Sequence, residues 1–233
     1  MGRVSSRPAV ETSPYPQVSS TLDYLRALVC AYARNADVRS VAVIGNAPLE
    51  PSAERAAAID ACDVVFRCNS FVLDTPHAPP QQGSRVDVVV FNRALRATPF
   101  FFDHYRERLY LVVEPGRLYR EPVTRPRWWP ADLGIANVPN REVTLTLSQQ
   151  LDLDSRNQRE WATTGLMSIW IPMLLFPAAD VSIAGFSMID QPEQTAWRHA
   201  WGDSCPVGSE HHIAREGRLL ATWIKDERLR FLS

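Results

Sequence analysis

Six short apolar runs recur along this 233-residue chain, and all but the last close on a glycine, an amide or a carboxylate. They are SVAVIGN at 40–46, DVVFRCN at 63–69, DVVVFN at 87–92, LYLVVE at 109–114, DVSIAGF at 180–186 and LRFL at 229–232. Apart from Ser182 between Val181 and Ile183, their β-branched residues are not interleaved with polar ones. Such continuous runs fit strands buried on both faces, which is the habit of a mainly parallel sheet. Helical patterns separate them. One starts at Ser19 and repeats Leu22, Leu25, Leu28, Val29 and Tyr32 to about Asn35; others cover 52–60, about 164–176 and about 210–226. Alternating strand and helix predicts a single α/β domain, Rossmann-like and doubly wound, over 19–233. Residues 1–18 are rich in Ser and Pro and are expected to be flexible. Pro172 is expected to kink or shorten the third helix. The stretch 115–160 breaks the rhythm and reads as an irregular insertion or lid.

Composition narrows the partners. The formal charge is −1, without the basic excess that gripping nucleic acid requires. No run approaches 18 apolar residues, so no membrane span is expected. The N-terminal segment lacks an apolar signal core, and the expected location is cytoplasmic. Cys30, Cys62, Cys68 and Cys205 follow no zinc or redox spacing, and Cys62 and Cys68 read as small packed hydrophobes. All basic residues but Lys225 are arginine, which reads as coding bias.

In an open parallel sheet ligands sit beyond the carboxyl ends of the strands, where the strand order reverses. The residues falling there are Asn46, Asn69, Asn92, Glu114 and Gly185. An amide both donates and accepts, so such a ring suits ribose, a base edge or phosphate; asparagine also simply suits strand exits. The first turn, IGNAPLEPS, has one glycine where a dinucleotide site needs three, and neither a P-loop nor a GxSxG elbow occurs. Thr163-Thr164-Gly165 opens a helix and offers free N–H groups to an anion, or merely an N-cap. His199, His211 and His212 cluster near the C-terminus, and His212 with Glu216 shares a helix face at i, i+4. An imidazole of near-neutral pKa suits a general base. Asp152-Leu153-Asp154 reads as a solvated loop rather than a metal-holding triplet, and no metal ligand set is expected.

VAVIGNAPLEPSAERAAAIDACDVVFRCNSF (41–71) resembles the large sialylmotif of sialyltransferases, and Phe-Arg-Cys-Asn followed by DVVVFN is also similar to glycosyltransferase family 42. TTGLMSIWIPMLLF with VSIAGF (163–186) resembles the small motif, HAW (199–201) the third motif, and EHHIARE (210–216) the last, His-x4-Glu. The matches run in order from 41 to 232. The chain departs from the pattern at Ala200, where an aromatic residue is usual, and has no cysteine in the small motif.

A family 29 or 42 resemblance implies a GT-A-like variant of the doubly wound fold and a metal-independent, inverting glycosyltransferase. It would need no cofactor. Its donor would be a CMP-activated sugar, sialic acid or a related ulosonic acid, and its acceptor a glycan or small-molecule hydroxyl. Asn46 and Asn69 would bind ribose and phosphate. Thr163, Thr164 and Gly165 would hold the donor, and Gly185 would let the cytidine approach. His211 would be the base, at the spacing to Glu216 that the motif requires, and His199 would donate to the departing phosphate. Two other readings stay open: an enzyme acting on another cytidine nucleotide, by transfer or hydrolysis, and a nucleotide-binding module without catalysis. Trp128, Trp129, Trp197 and Trp201 would line an acceptor cleft, or lie in the core or a dimer surface.

Overall fold

The computed structural model describes residues 20–93, 95–115, 129–155 and 157–233. The first eighteen residues and Trp128 lie outside them. Helix α1 (Thr21–Ala33) leads into β1 (Ser40–Ile44), α2 (Ala53–Asp60), β2 (Val64–Cys68), β3 (Val88–Phe91), β4 (Leu109–Val112) and β5 (Ile135–Asn137). Then come α3 (Leu145–Gln150), α4 (Thr164–Leu175), β6 (Asp180–Ala184), β7 (Ala196–Arg198), β8 (Ser204–Pro206), α5 (Ile213–Lys225) and β9 (Arg230–Phe231).

Seven strands form one sheet in the order β5-β4-β3-β2-β1-β6-β9, every pair parallel. The apolar runs predicted this: β2, β3 and β4 are buried at every position. Aspartates fix the strand starts. Asp63 accepts from the N–H groups of Arg39 and Ser40, and Asp87 accepts from that of Val65 at 2.8 Å. The three backbone and hydroxyl donors at Asp63 hold its carboxyl below the usual range, whereas burial raises that of Asp87.

The chain moves outward from β1 to β5, then returns to place β6 on the other side of β1. That reversal opens a crevice at the carboxyl ends of β1 and β6. One sheet face packs on α1, α3, α4 and α5 through residues such as Val29, Leu147, Ile169 and Trp223. The other carries α2 over Ala42, Ile44 and Val65, and an aromatic cluster of Phe71, Phe91, Phe101, Tyr110 and Trp129. Trp129 is therefore core. Helix ends follow local chemistry: Ser20 and Ser52 cap α1 and α2 through their hydroxyls, and Arg34 ends α1 in the left-handed region at φ 55°.

The structure corrects two expectations. The described part of 115–160 is no separate lid: it supplies edge strand β5, and Val143, Leu147 and Leu151 pack into the core. Their i, i+4, i+8 spacing is a helical signal, masked by the wide π turn at Asn140–Thr144 that precedes α3. Helix α4 also continues three residues beyond Pro172. Tertiary burial along Leu166–Pro172 outweighs the missing hydrogen bond, and the proline sits only in the last turn. Among the described residues no helix is long and apolar enough to cross a membrane.

Gly45 and Gly185 meet at the crevice. A Cβ on Gly45 would lie 2.2 Å from the Gly185 carbonyl oxygen, and Gly185 itself has φ 74°. Gly45 N–H donates to Ala184 O, and Ala47 N–H to Gly185 O, so the backbones stay in contact past the strand ends. Gly45→Ala is expected to cost roughly 2–4 kcal/mol of unfolding free energy, read from urea denaturation. Gly165→Ala, whose methyl would meet nothing closer than 3.5 Å, is expected to cost less than about 1 kcal/mol. Equal losses would contradict the account of the crevice.

Candidate functional site

A cavity of about 330 Å³ opens at this crevice. Asn46, Asn69, Asn92, Thr163, Thr164, Gly165, Gly185, His199 and His211 all line it. Of the residues singled out in the sequence, Glu216 does not. Glu114 is also absent from the lining; it pairs with Arg93.

The asparagines form a rail across the strand ends. Asn46 Nδ2 donates to Cys68 O at 2.8 Å, tying β1 to β2 and leaving its side-chain Oδ1 without a partner among the described residues. Asn69 takes φ 52°, a conformation asparagine tolerates, and its Oδ1 accepts from Asn92 N–H at 3.2 Å. Asn92 Nδ2 in turn donates to Thr164 Oγ1 at 3.0 Å, linking the sheet to the mouth of α4. Cys68 lies in the same wall as an inert group, its thiol pushed up to about 12 by burial.

Thr163 caps α4: its Oγ1 accepts from Leu166 N–H at 3.1 Å. The same residue is spent on a carboxylate behind it. Its N–H donates to Glu216 Oε1 at 2.8 Å and its hydroxyl to Glu216 Oε2 at 2.6 Å. That corrects two assignments. The Thr163 hydroxyl is already committed on both sides, and Glu216 is no partner of a histidine but a buried prop for the helix mouth. Its side chain points inward because α5 buries the face carrying Ile213, Glu216, Leu220 and Trp223. The N–H groups left without intrahelical partners are those of Thr164 and Gly165, at the positive end of a 12-residue helix.

The two histidines approach from other elements. His199 follows β7, a strand of an antiparallel hairpin that the sequence did not reveal. Three-residue strands of mixed polarity carry too little periodicity; Gly202, at φ 90° in the HAWGDS turn, is the one local mark. Ala200 N–H donates to Asn46 O at 2.8 Å, which draws the hairpin over β1 and needs no aromatic side chain at 200. The His199 ring stacks on Trp201 at 4.5 Å, and Nδ1 meets the Asp203 carboxylate. Hydrogen bonds from Trp201 and His199 hold the Asp203 carboxyl below its usual range.

His211 precedes α5, just outside the helix. Its Nδ1 lies 3.0 Å from Trp161 O. A carbonyl only accepts, so Nδ1 carries the proton and Nε2 offers its lone pair. His212 faces away: its Nε2 lies 2.8 Å from Glu160 Oε1. His211, which the motif spacing selects, thus lines the cavity, whereas His212, which helix register pairs with Glu216, does not. Trp197, one of the four tryptophans considered for a cleft, lines the cavity, and beyond the sequence reading so do Gly45, Phe186, Arg198, Cys205 and Glu210. Asp152-Leu153-Asp154 is a turn away from it, with Asp154 accepting from Asn157 N–H. No cluster of three His, Cys, Asp or Glu side chains occurs among the described residues.

Burial pushes the Glu216 carboxyl up from 4.5 to about 7, against the lowering pull of the Thr163 bonds. The folded state thus holds a proton between pH 4.5 and 7 that the unfolded chain has released. The stability this group contributes is complete below pH 4.5 and falls as pH rises to about 7. Glu216→Gln cannot ionise and still bonds Thr163. It is expected to gain on the parent as pH rises from 5 to 8, by roughly 1–3 kcal/mol in denaturant unfolding. Parallel stability curves would contradict the assignment.

Neither a protein-family model nor a curated protein matches the sequence. Solved structures do match in fold. The crystal structure of a mammalian sialyltransferase in complex with Gal-β-1-3GalNAc-ortho-nitrophenol superposes with a TM-score of 0.58 at 16% identity, covering 94% of this chain and 81% of that one. A second crystal structure of a mammalian sialyltransferase gives 0.56 at 16% identity, covering 94% and 80%. The chain shares their fold.

Proposed function

We propose that the protein is a glycosyltransferase that moves a sugar from a CMP-activated donor, sialic acid or a related ulosonic acid, to a hydroxyl acceptor. The observation that carries this reading is the convergence on one cavity of two free N–H groups, from Thr164 and Gly165, with His199 and His211. The shared fold supports it, since the similar structures are described as sialyltransferases and one holds a disaccharide derivative.

In this reading the donor phosphate sits at the mouth of α4. Helix N–H groups meet its charge, and no metal is invoked for that role. Asn46 and Asn69 take ribose hydroxyls and phosphate oxygens through the amide groups their internal bonds leave over. The close Gly45–Gly185 contact keeps side chains out of the floor, where the cytidine approaches. Transfer is a single displacement with inversion. The acceptor oxygen bonds to the anomeric carbon as the bond from that carbon to the phosphate oxygen breaks. The acceptor proton passes to His211 Nε2, and CMP leaves with the bonding electrons. His199, its Nδ1 held by the Asp203 carboxylate, hydrogen-bonds the departing phosphate. Its position beside the ring-stacked Trp201 keeps it facing the cavity.

His211→Asn is expected to lower transfer from CMP-sialic acid by about 10²–10⁴-fold, measured as CMP release with acceptor present. The thermal shift given by CMP is expected to persist. Full turnover in that variant would remove His211 as the base. Failure of millimolar CMP to shift the melting temperature of the parent protein would overturn the nucleotide reading. Equal CMP release with and without acceptor would mark a hydrolase instead.

A further inference from the structure

We infer that Glu210 is a positioning residue for His211, its carboxylate set beside Nε2 to stabilise the imidazolium that forms when the ring accepts a proton. The inference rests on the proposed role of His211 as base. Glu210 precedes His211 and lines the same cavity, and neither composition nor motif spacing singled it out. Its Oε1 lies 3.7 Å from His211 Nε2, too far for a hydrogen bond and close enough for charge to act on charge. His211 is also the one ionic neighbour of Glu210 within 4 Å among the described residues.

The local chain is arranged to keep this carboxylate in place. Trp161 N–H donates to Glu210 O at 3.2 Å, while Trp161 O accepts from His211 Nδ1, so one residue brackets both. His211 N–H donates to Gly208 O at 3.1 Å, closing a turn. A Cβ on Gly208 would lie 2.4 Å from Glu210 Oε2. The absent side chain is the room into which the carboxylate folds back over the turn.

The other charged groups around the ring are engaged or sit on other walls. His199 and Arg198 come from the β7–β8 hairpin, with Asp203 already on His199. Glu193 and Arg218 line a groove on the far side of His211. Arg215 turns to the carbonyls of Leu151 and Asp152, His212 lies on Glu160, and Glu216 is under Thr163. Glu210 is thus the carboxylate set against the free nitrogen.

The test is an NMR titration of the imidazole signals of the full chain, with His211 assigned by loss of its signals in His211→Asn. This readout needs no substrate. Glu210→Gln is expected to lower the His211 midpoint relative to the parent, since a carboxylate beside the ring favours its charged form. The midpoints of His77 and His104 are expected not to move, and Glu210→Asp to retain part of the effect. Coincident His211 midpoints in parent and Glu210→Gln, or a rise in the variant, would overturn the inference. In turnover, the acid limb of kcat/KM is expected to move to lower pH in Glu210→Gln with KM for the donor unchanged. Absence of turnover in the parent would count against the base reading, while the titration would still decide the Glu210–His211 pair.

Discussion

A buried carboxylate holds the mouth of α4, and the site is organised around it. Glu216 has no exposed surface, and both of its hydrogen bonds come from Thr163. An ionised group in that position lacks a matching cation and resists charging. Yet the arrangement solves a geometric problem. It spends the N-cap residue on the interior and leaves the N–H groups of Thr164 and Gly165, residues that line the cavity, without intrahelical partners. It also fixes α5 against α4, which places the residues just before α5, His211 among them, at the same opening. Stability is traded for the alignment of two helices on one cavity, the kind of local cost expected where a fold serves chemistry.

The rest of the opening follows from topology. In a sheet whose strand order reverses between β1 and β6, the connections leaving the two strand ends run to opposite sides and leave space above them. Glycines at both ends let the backbones touch below that space while nothing fills it from above. The asparagine rail then runs from β1 through β2 and β3 to Thr164. Each amide spends part of its capacity on the neighbouring element and keeps part for a ligand. The β7–β8 hairpin closes the remaining side, tied down by one backbone bond from Ala200 to Asn46. Four separate segments thus meet at a cavity that none of them forms alone.

Much of this was legible in the amino-acid order. The parallel sheet announces itself because valines and isoleucines buried on both faces leave no room for alternation, and the asparagines and glycine mark where those strands stop. Thr163-Thr164-Gly165 reads as a helix mouth for the same reason any hydroxyl before an apolar run does. What stayed hidden depends on contacts distant in sequence. Nothing local says that Glu216 turns inward, since its effect lies 53 residues away at Thr163. The hairpin carrying His199 is too short to show a period. Strand β5 is half exposed at the sheet edge, so its sequence Ile-Ala-Asn lacks the apolar run that revealed the others. Helix α5 begins at Ile213 rather than near 210, because His211 sits in a turn closed by its N–H on Gly208 O, a contact that no local pattern marks.

The account stands on the claim that a phosphate binds at the free N–H groups of α4. Amide chemical-shift mapping of the 15N-labelled chain during CMP titration addresses this directly. The expected result is that the Thr164 and Gly165 amides shift first and farthest, with Asn46 and Asn69 side-chain amides moving in the same titration. Saturable binding that leaves those signals still, or that perturbs instead the opposite end of the sheet around Arg34 and Arg85, would contradict it.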